Sequence, residues 1–257
     1  MSGIIKTAVI MAAGRGTRLK SKGRQAPKGF LQLGDRPIIE ESLQRLQKAG
    51  VERVIIVTGH LAEFYEELAA QYNGLILTVH NEKFADSGSM YSLYQAQKLL
   101  DSAGESEVFY LLESDLIYEQ RALSRLQEDY RDSVILLSGI TQSNDEVWVE
   151  TDSEEQLIRM SKLKEELSKE PAGELVGVSK LSMKVFRALC SQAEQMFQKS
   201  LHVEYEKALV AAADVTPIYC RKVEDLVWAE IDDEDHLARA REKVYPRIQS
   251  SRNRFGE

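Results

Sequence analysis

Apolar residues along this chain gather either in short unbroken runs or at every third and fourth position. The runs over residues 7–11, 54–57, 75–79, 108–112 and 134–137 are rich in β-branched side chains and read as strands buried on both faces. Between the first two, Ile38, Ile39, Leu43 and Leu46 form one apolar stripe, which predicts a helix over residues 37–49 that stops at Gly50. Further helices are expected over 61–72, closed by Asn73-Gly74, then over 90–100 and over 234–244. Strands alternating with helices predict an α/β fold, with helices on both faces of a mostly parallel sheet.

The chain has 257 residues, 43% of them hydrophobic, which suffices for one large α/β core. Residues 1–248 are expected to form that domain, and the polar stretch 249–257 reads as a tail or a linker to a further or partner domain. No run of about 18 apolar residues offers a membrane span, and the N-terminal stretch lacks the marks of a signal peptide. A cytoplasmic protein without membrane contact is therefore expected. A net charge of −8 argues against a nucleic-acid partner. Cys190 and Cys220 stand in no redox or metal spacing and read as small buried hydrophobes.

Against that acidic total, residues 12–28 form a local exception. The segment AAGRGTRLKSKGRQAPK carries Arg15, Arg18, Lys20, Lys22, Arg24 and Lys28 and no carboxylate, directly after the first strand. Gly14 and Gly16, free of Cβ atoms, let backbone N–H groups turn toward an anion, and a strand-to-loop handover is where α/β folds hold nucleotides. It is neither a P-loop, which needs Gly-Lys-Ser/Thr, nor a Rossmann fingerprint, since Leu19 stands where a third glycine belongs.

The run from Ala12 to Leu19, followed by Pro27-Lys28, resembles the signature loop of nucleotidyltransferases that join an NTP to a small phosphorylated compound. That resemblance implies a three-layer α/β/α, GT-A-like and Rossmann-like fold with a mixed, mostly parallel sheet and a small lid over residues 138–180. It implies that Ala12, Ala13, Gly14, Gly16 and Thr17 wrap the triphosphate, that Arg18 contacts the departing phosphates, and that Lys28 sits near the reacting phosphoryl group. Gly88 and Ser89, before the helix expected from Met90, fall where the family reads base or ribose, with Ser114 also at the nucleotide. By the residues alone Ser89 is equally a helix cap.

Asp115 follows an apolar strand, a position that faces the ligand crevice and suits Mg²⁺, although a single acid is ordinarily just a loop acid. The resemblance supplies a second ligand, Asp232, at the end of a short apolar stretch; Asp233 is the alternative or a helix N-cap. Mg²⁺ is thus the expected cofactor. None of His60, His80, His202 and His236 stands in a metal or triad spacing, and His80 is read as structural rather than pocket-lining.

The segments 89–94, 112–118 and 173–179 resemble the small cytidylyltransferases acting on amino-alcohol phosphates or phosphonates. CTP and 2-aminoethylphosphonate are the substrates this implies, in phosphonate biosynthesis, with phosphocholine second. Acceptors for the amine would come from Asp145, Glu146, Glu174 and Glu206, and aromatic walls from Trp148 and Trp228. Strand-like runs at 144–150 and 173–180 flank a charged excursion, 162–170, read as a solvated loop or short helix. The rival readings are a sugar-1-phosphate nucleotidyltransferase and a module that binds nucleotide without catalysis.

Overall fold

The computed structural model describes residues 4–101 and 103–255. The first half runs β1 (Thr7–Ala12), α1 (Ser21–Gln25), α2 (Ile38–Lys48), β2 (Arg53–Thr58), α3 (Ala62–Gln71), β3 (Ile76–His80), α4 (Ser89–Gln95), α5 (Gln97–Leu100), β4 (Val108–Glu113), β5 (Leu116–Tyr118) and α6 (Arg121–Glu128). The second half adds β6 (Val134–Ser138), β7 (Trp148–Thr151), β8 (Leu157–Ser161), β9 (Gly173–Ser182), α7 (Met183–Phe197), α8 (Tyr205–Ala213), β10 (Tyr219–Val223), β11 (Trp228–Glu230), α9 (Glu234–Arg239) and α10 (Tyr245–Phe255).

The main sheet has the order β10-β6-β9-β4-β1-β2-β3, with β7 and β8 added beside β9 to make nine strands. Along that path only β9 runs against the others, pairing antiparallel with both β4 and β6. Strand side chains alternate between two cores, as a period of two requires. Val9 and Met11 of β1 pack toward α4, α7 and α8, whereas Ala8, Ile10 and Ala12 pack toward α2, α3 and α6. Both faces are thus covered, which is why the strands read as unbroken apolar runs. A smaller third core joins Leu19, Ile117, Ile231, Leu237 and Ile248 under the C-terminal helices.

Helix α2 forms where its stripe predicts, with Glu40 and Glu41 in the first turn and Arg45 and Lys48 in the last, complementing the helix dipole. Other elements depart from expectation. The helix over 90–100 starts at Ser89 and is interrupted at Ala96. The one expected over 234–244 becomes α9, a single wide turn over 240–244 and then α10. Residues 249–255, expected as tail or linker, continue α10, and 256–257 lie outside the described residues.

The lid range 138–180 divides in two. Residues 139–172 form loops, the β7–β8 hairpin and an exposed turn at Lys164–Glu166, but Gly173–Ser182 is a central strand buried along its whole length. Leu175, Val176, Val178 and Leu181 fill the space between β4 and β6, so this run belongs to the body of the sheet. Both cysteines are buried and unpaired, and burial pushes each thiol up to about 12. No helix among the described residues is long and apolar enough to cross a membrane.

Candidate active site

The chain leaves β1 toward β2 and β3, then returns to place β4 on the other flank of β1. Such a reversal opens a crevice at the C-terminal ends of the two strands. A cleft of about 540 Å³ lies there, walled by Ala12, Ala13 and Gly14 after β1 and by Glu113, Ser114 and Asp115 after β4.

Arg18 and Lys28 reach this cleft because the basic loop folds back on itself. Leu19 is fully buried in the third core and anchors the turn, leaving Arg18 beside it free to point inward. Gly16 has φ +58, and a Cβ at Gly23 would stand 2.2 Å from the Gly16 carbonyl oxygen. Only glycines allow that approach, and it brings Lys28 alongside. His60 is 3.3 Å from the Gly23 carbonyl, which holds the same turn.

Six side chains of alternating sign cross the mouth of the cleft. Lys162 Nζ bonds Asp145 at 2.5 Å, Asp145 accepts from Arg18 at 3.1 Å, and Arg18 reaches Asp232 at 2.9 Å. Asp232 also accepts from Lys28 Nζ, which donates to Asp115 at 2.7 Å. Burial alone would lower the Lys28 ammonium, but Asp115 and Asp232 outweigh it and hold it above its ordinary value. Burial would likewise raise Asp232, but Lys28 and Arg18 hold it well below the usual carboxylate range.

The comparisons with known proteins fit this geometry. A model of the MobA-like NTP transferase domain matches residues 8–199. The chain belongs to that family. Choline-phosphate cytidylyltransferase from Streptococcus pneumoniae is 33% identical over 108 residues, 42% of this chain and 44% of that protein. 2-Aminoethylphosphonate cytidylyltransferase from Lancefieldella rimae is 33% identical over 110 residues, 43% of each. The matched stretch thus spans less than half the length of these relatives. Among solved structures, the inositol-1-phosphate CTP transferase of T. maritima superposes with a TM-score of 0.80 at 22% identity, covering 98% of both chains. CTP:phosphocholine cytidylyltransferase from Streptococcus pneumoniae gives 0.76 at 21%, over 93% of this chain and 99% of that one. Both likenesses show the shared fold.

In this MobA-like domain Asp115 lies in an oxygen cluster wider than the sequence suggests. Carboxylate oxygens of Glu113, Asp115 and Glu230 all fall within 4.8 Å of one another, an all-oxygen donor set that fits a hard divalent cation. Asp232 is engaged by Lys28 and Arg18 instead of standing in that cluster, although its carboxylate shares the Lys28 ammonium with Asp115. Burial and the neighbouring acids, Asp115 and Glu206 for one and Glu113 and Asp115 for the other, raise Glu113 and Glu230 well above the usual carboxylate range. Asp233 caps α9, accepting from the His236 backbone N–H at 2.8 Å.

Several expected residues lie elsewhere. Gly16 and Thr17 shape the loop but are not in the cleft wall, and Lys20 turns away to Glu234 at 2.9 Å. Gly88 and Ser89 do line the cleft, yet the N–H groups there are already bonded. Those of Gly88 and Met90 donate to the Leu201 and Val203 carbonyls at 2.9 Å. A Cβ at Gly88 would stand 2.4 Å from the Val203 oxygen, so the glycine serves a close backbone crossing. Ser89 Oγ donates to Glu204 at 2.6 Å and accepts from the Tyr205 N–H, tying α4 to α8.

Of the residues expected at the acceptor, Asp145, Glu174, Glu206 and Trp228 line the cleft, and Glu146 and Trp148 do not. Trp148 pairs opposite Glu174 in the sheet, and the Lys164 ammonium lies 3.8 Å from its ring centroid. Glu174 accepts from the Thr141 N–H and hydroxyl at 2.7 and 2.8 Å, and Trp228 donates to Ser138 at 2.9 Å. His80 sits on Thr58 away from the cleft, whereas His236 lines it and lies 3.0 Å from the Ser143 carbonyl. Sequence reasoning missed Glu113, Glu230, Tyr205 and Lys162. Glu230 ends β11 two residues before Asp232, and that closeness in sequence to an expected ligand is the available signal.

Proposed function

We propose that this protein is a cytidylyltransferase that couples CTP to 2-aminoethylphosphonate and releases pyrophosphate. The observation that carries the reading is the convergence of Lys28 and Arg18 on Asp115 and Asp232 at the crevice between β1 and β4. A phosphonate oxygen of the acceptor would attack the α-phosphorus of CTP in line, forming one P–O bond as the bond to the β-phosphate bridging oxygen breaks. The attacking oxygen is already anionic near neutral pH, so no general base is required. Arg18 and Lys28 would offset the charge that grows on the departing pyrophosphate. Asp115 and Asp232, with Glu113 and Glu230 beside them, would hold a Mg²⁺ ion, which when bound neutralises charge at the reacting phosphate.

The acceptor reading is supported by what walls the cleft and by the two relatives named for aminophosphonate and choline-phosphate acceptors. Carboxylates outnumber aromatic faces there, and three N–H donors of a primary ammonium suit carboxylates better than a trimethylated head does. Trp228 and Tyr205 also line the cleft, which keeps phosphocholine as the second reading. Pyrophosphate release measured across four NTPs, with 2-aminoethylphosphonate, phosphocholine, inositol 1-phosphate and glucose 1-phosphate, tests both. The highest kcat/KM is expected for CTP with 2-aminoethylphosphonate. Preference for phosphocholine moves the acceptor, preference for UTP with the hexose phosphate replaces the assignment, and nucleotide binding without turnover points to a non-catalytic module.

A further inference from the structure

The cleft is lined by Glu113, Asp115, Asp145, Glu174, Glu204, Glu206, Glu230 and Asp232, and all but one of these acids have a partner or a place in the oxygen cluster. Asp115, Asp145 and Asp232 hold cations. Glu174 is satisfied by Thr141, Glu204 by Ser89, and Glu113 accepts from the Tyr205 hydroxyl at 2.7 Å while clustering with Glu230. Glu206 remains. Its Oε2 is buried and has no hydrogen-bond partner among the described residues.

Glu206 stands in the first turn of α8, next to the tyrosine that reaches Glu113, so it lies on the wall that adjoins the reacting end of the cleft. The charged groups acting on it include Glu204, Lys162 and Lys207, and Glu113 and Glu206 also repel each other. Lys162 is committed to Asp145. A buried carboxylate oxygen without a partner is costly, and it can be satisfied only by a donor, best of all a cationic one.

We propose that Glu206 binds the ammonium end of the acceptor and sets the preference for cationic over uncharged acceptors. This rests on the cytidylyl-transfer reading above. Burial that pushes the Glu206 carboxyl up to about 7 is consistent with a site completed only when a cation arrives.

The test compares the parent enzyme with Glu206→Gln and Glu206→Asp, using 2-aminoethylphosphonate, phosphocholine and ethylphosphonate, which lacks the amine. Turnover is read as separate KM and kcat values, and binding by calorimetry without turnover. In Glu206→Gln, KM and Kd for the amine compounds are expected to rise by about ten- to a hundredfold, while KM for CTP stays within about twofold. Ethylphosphonate should be used no worse than by the parent, and Glu206→Asp should recover part of the loss. Equal losses for ethylphosphonate, or unchanged Kd for the amines, overturn the assignment. If the parent binds the amines but transfers no cytidylyl group, the proposed reaction falls while Kd still decides the role of Glu206. A parent that binds neither amine removes the role as well.

Discussion

Two clusters of buried charge sit at opposite ends of the same sheet. At the N-terminal ends of β6 and β10, both Asp129 oxygens accept from Arg131, at 2.7 and 2.9 Å, and Arg131 also reaches Glu155 at 2.9 Å. Lys180 Nζ donates to the Asp129 carbonyl at 2.7 Å, and the Arg131 guanidinium lies 4.9 Å from the Tyr219 ring centroid. At the C-terminal ends, Lys28 serves two aspartates, three acids crowd together, and Glu206 Oε2 has no hydrogen-bond partner among the described residues. Burial would raise the carboxyl at Asp129, but Arg131 hydrogen bonds hold it low, whereas burial and like charge raise Glu113 and Glu230. The ratio of partners to charges, not burial itself, separates a cluster that braces the fold from one ready for a ligand.

The largest expected contrast lies in catalysis. On the proposed reading, Asp115→Asn, Asp232→Asn and Lys28→Ala should each lower kcat by roughly two to three orders of magnitude, because each would remove charge stabilisation from the transition state. Near-parent kcat at saturating substrates and Mg²⁺, with an intact circular dichroism spectrum, would break the comparison at that residue. Arg131→Ala should do the reverse. It strips the guanidinium from buried Asp129 and leaves it only the backbone N–H of residue 131 and the field of Lys180, so stability should fall by about 2–3 kcal/mol in a denaturant titration while kcat is unchanged.

The smallest effect separates the two clusters by pH. Asp129 is held below its ordinary value, so its contribution to stability is present at neutral pH and fades as pH falls below about 4. Glu206 is raised to about 7, so it favours the folded state most below its ordinary value and progressively less as pH rises through 7. Melting curves should therefore show Glu206→Gln more stable than the parent near about pH 8, with the gap closing by about pH 5. A constant gap across that window would contradict the raised carboxyl.

What the sequence discloses and what it hides follow from range. Gly14, Gly16, Arg18 and Lys28 lie within one short segment, so their joint purpose can be read from spacing. The buried strands announce themselves because both faces are covered, leaving no polar alternation in β1, β2 or β4. β9 is legible as a strand-like run over 173–180 but not as a central strand, since that place depends on pairing with β4 and β6, more than thirty residues away along the chain. Glu113 looks like a polar strand end until Tyr205 and Glu230 are brought to it from about a hundred residues onward. Trp148 looks like a cage wall until its strand pairing takes it out of the cleft. The break at Ala96 carries no glycine or proline to mark it.

The alternating row from Lys162 to Asp115 has a consequence for how the mouth of the cleft meets a polyanion. Asp145 and Asp232 already occupy the positions of counterions on Arg18 and Lys28, so those cations are oriented and partly stripped of water before any ligand arrives. On the proposed reading, entry of a triphosphate would be an exchange of one anion for another, not a first neutralisation. Much of the cost of dehydrating the Lys28 ammonium was met when the chain folded, while the Arg18 guanidinium stays half-exposed but already oriented, and the displaced aspartates would become free to seek another cation.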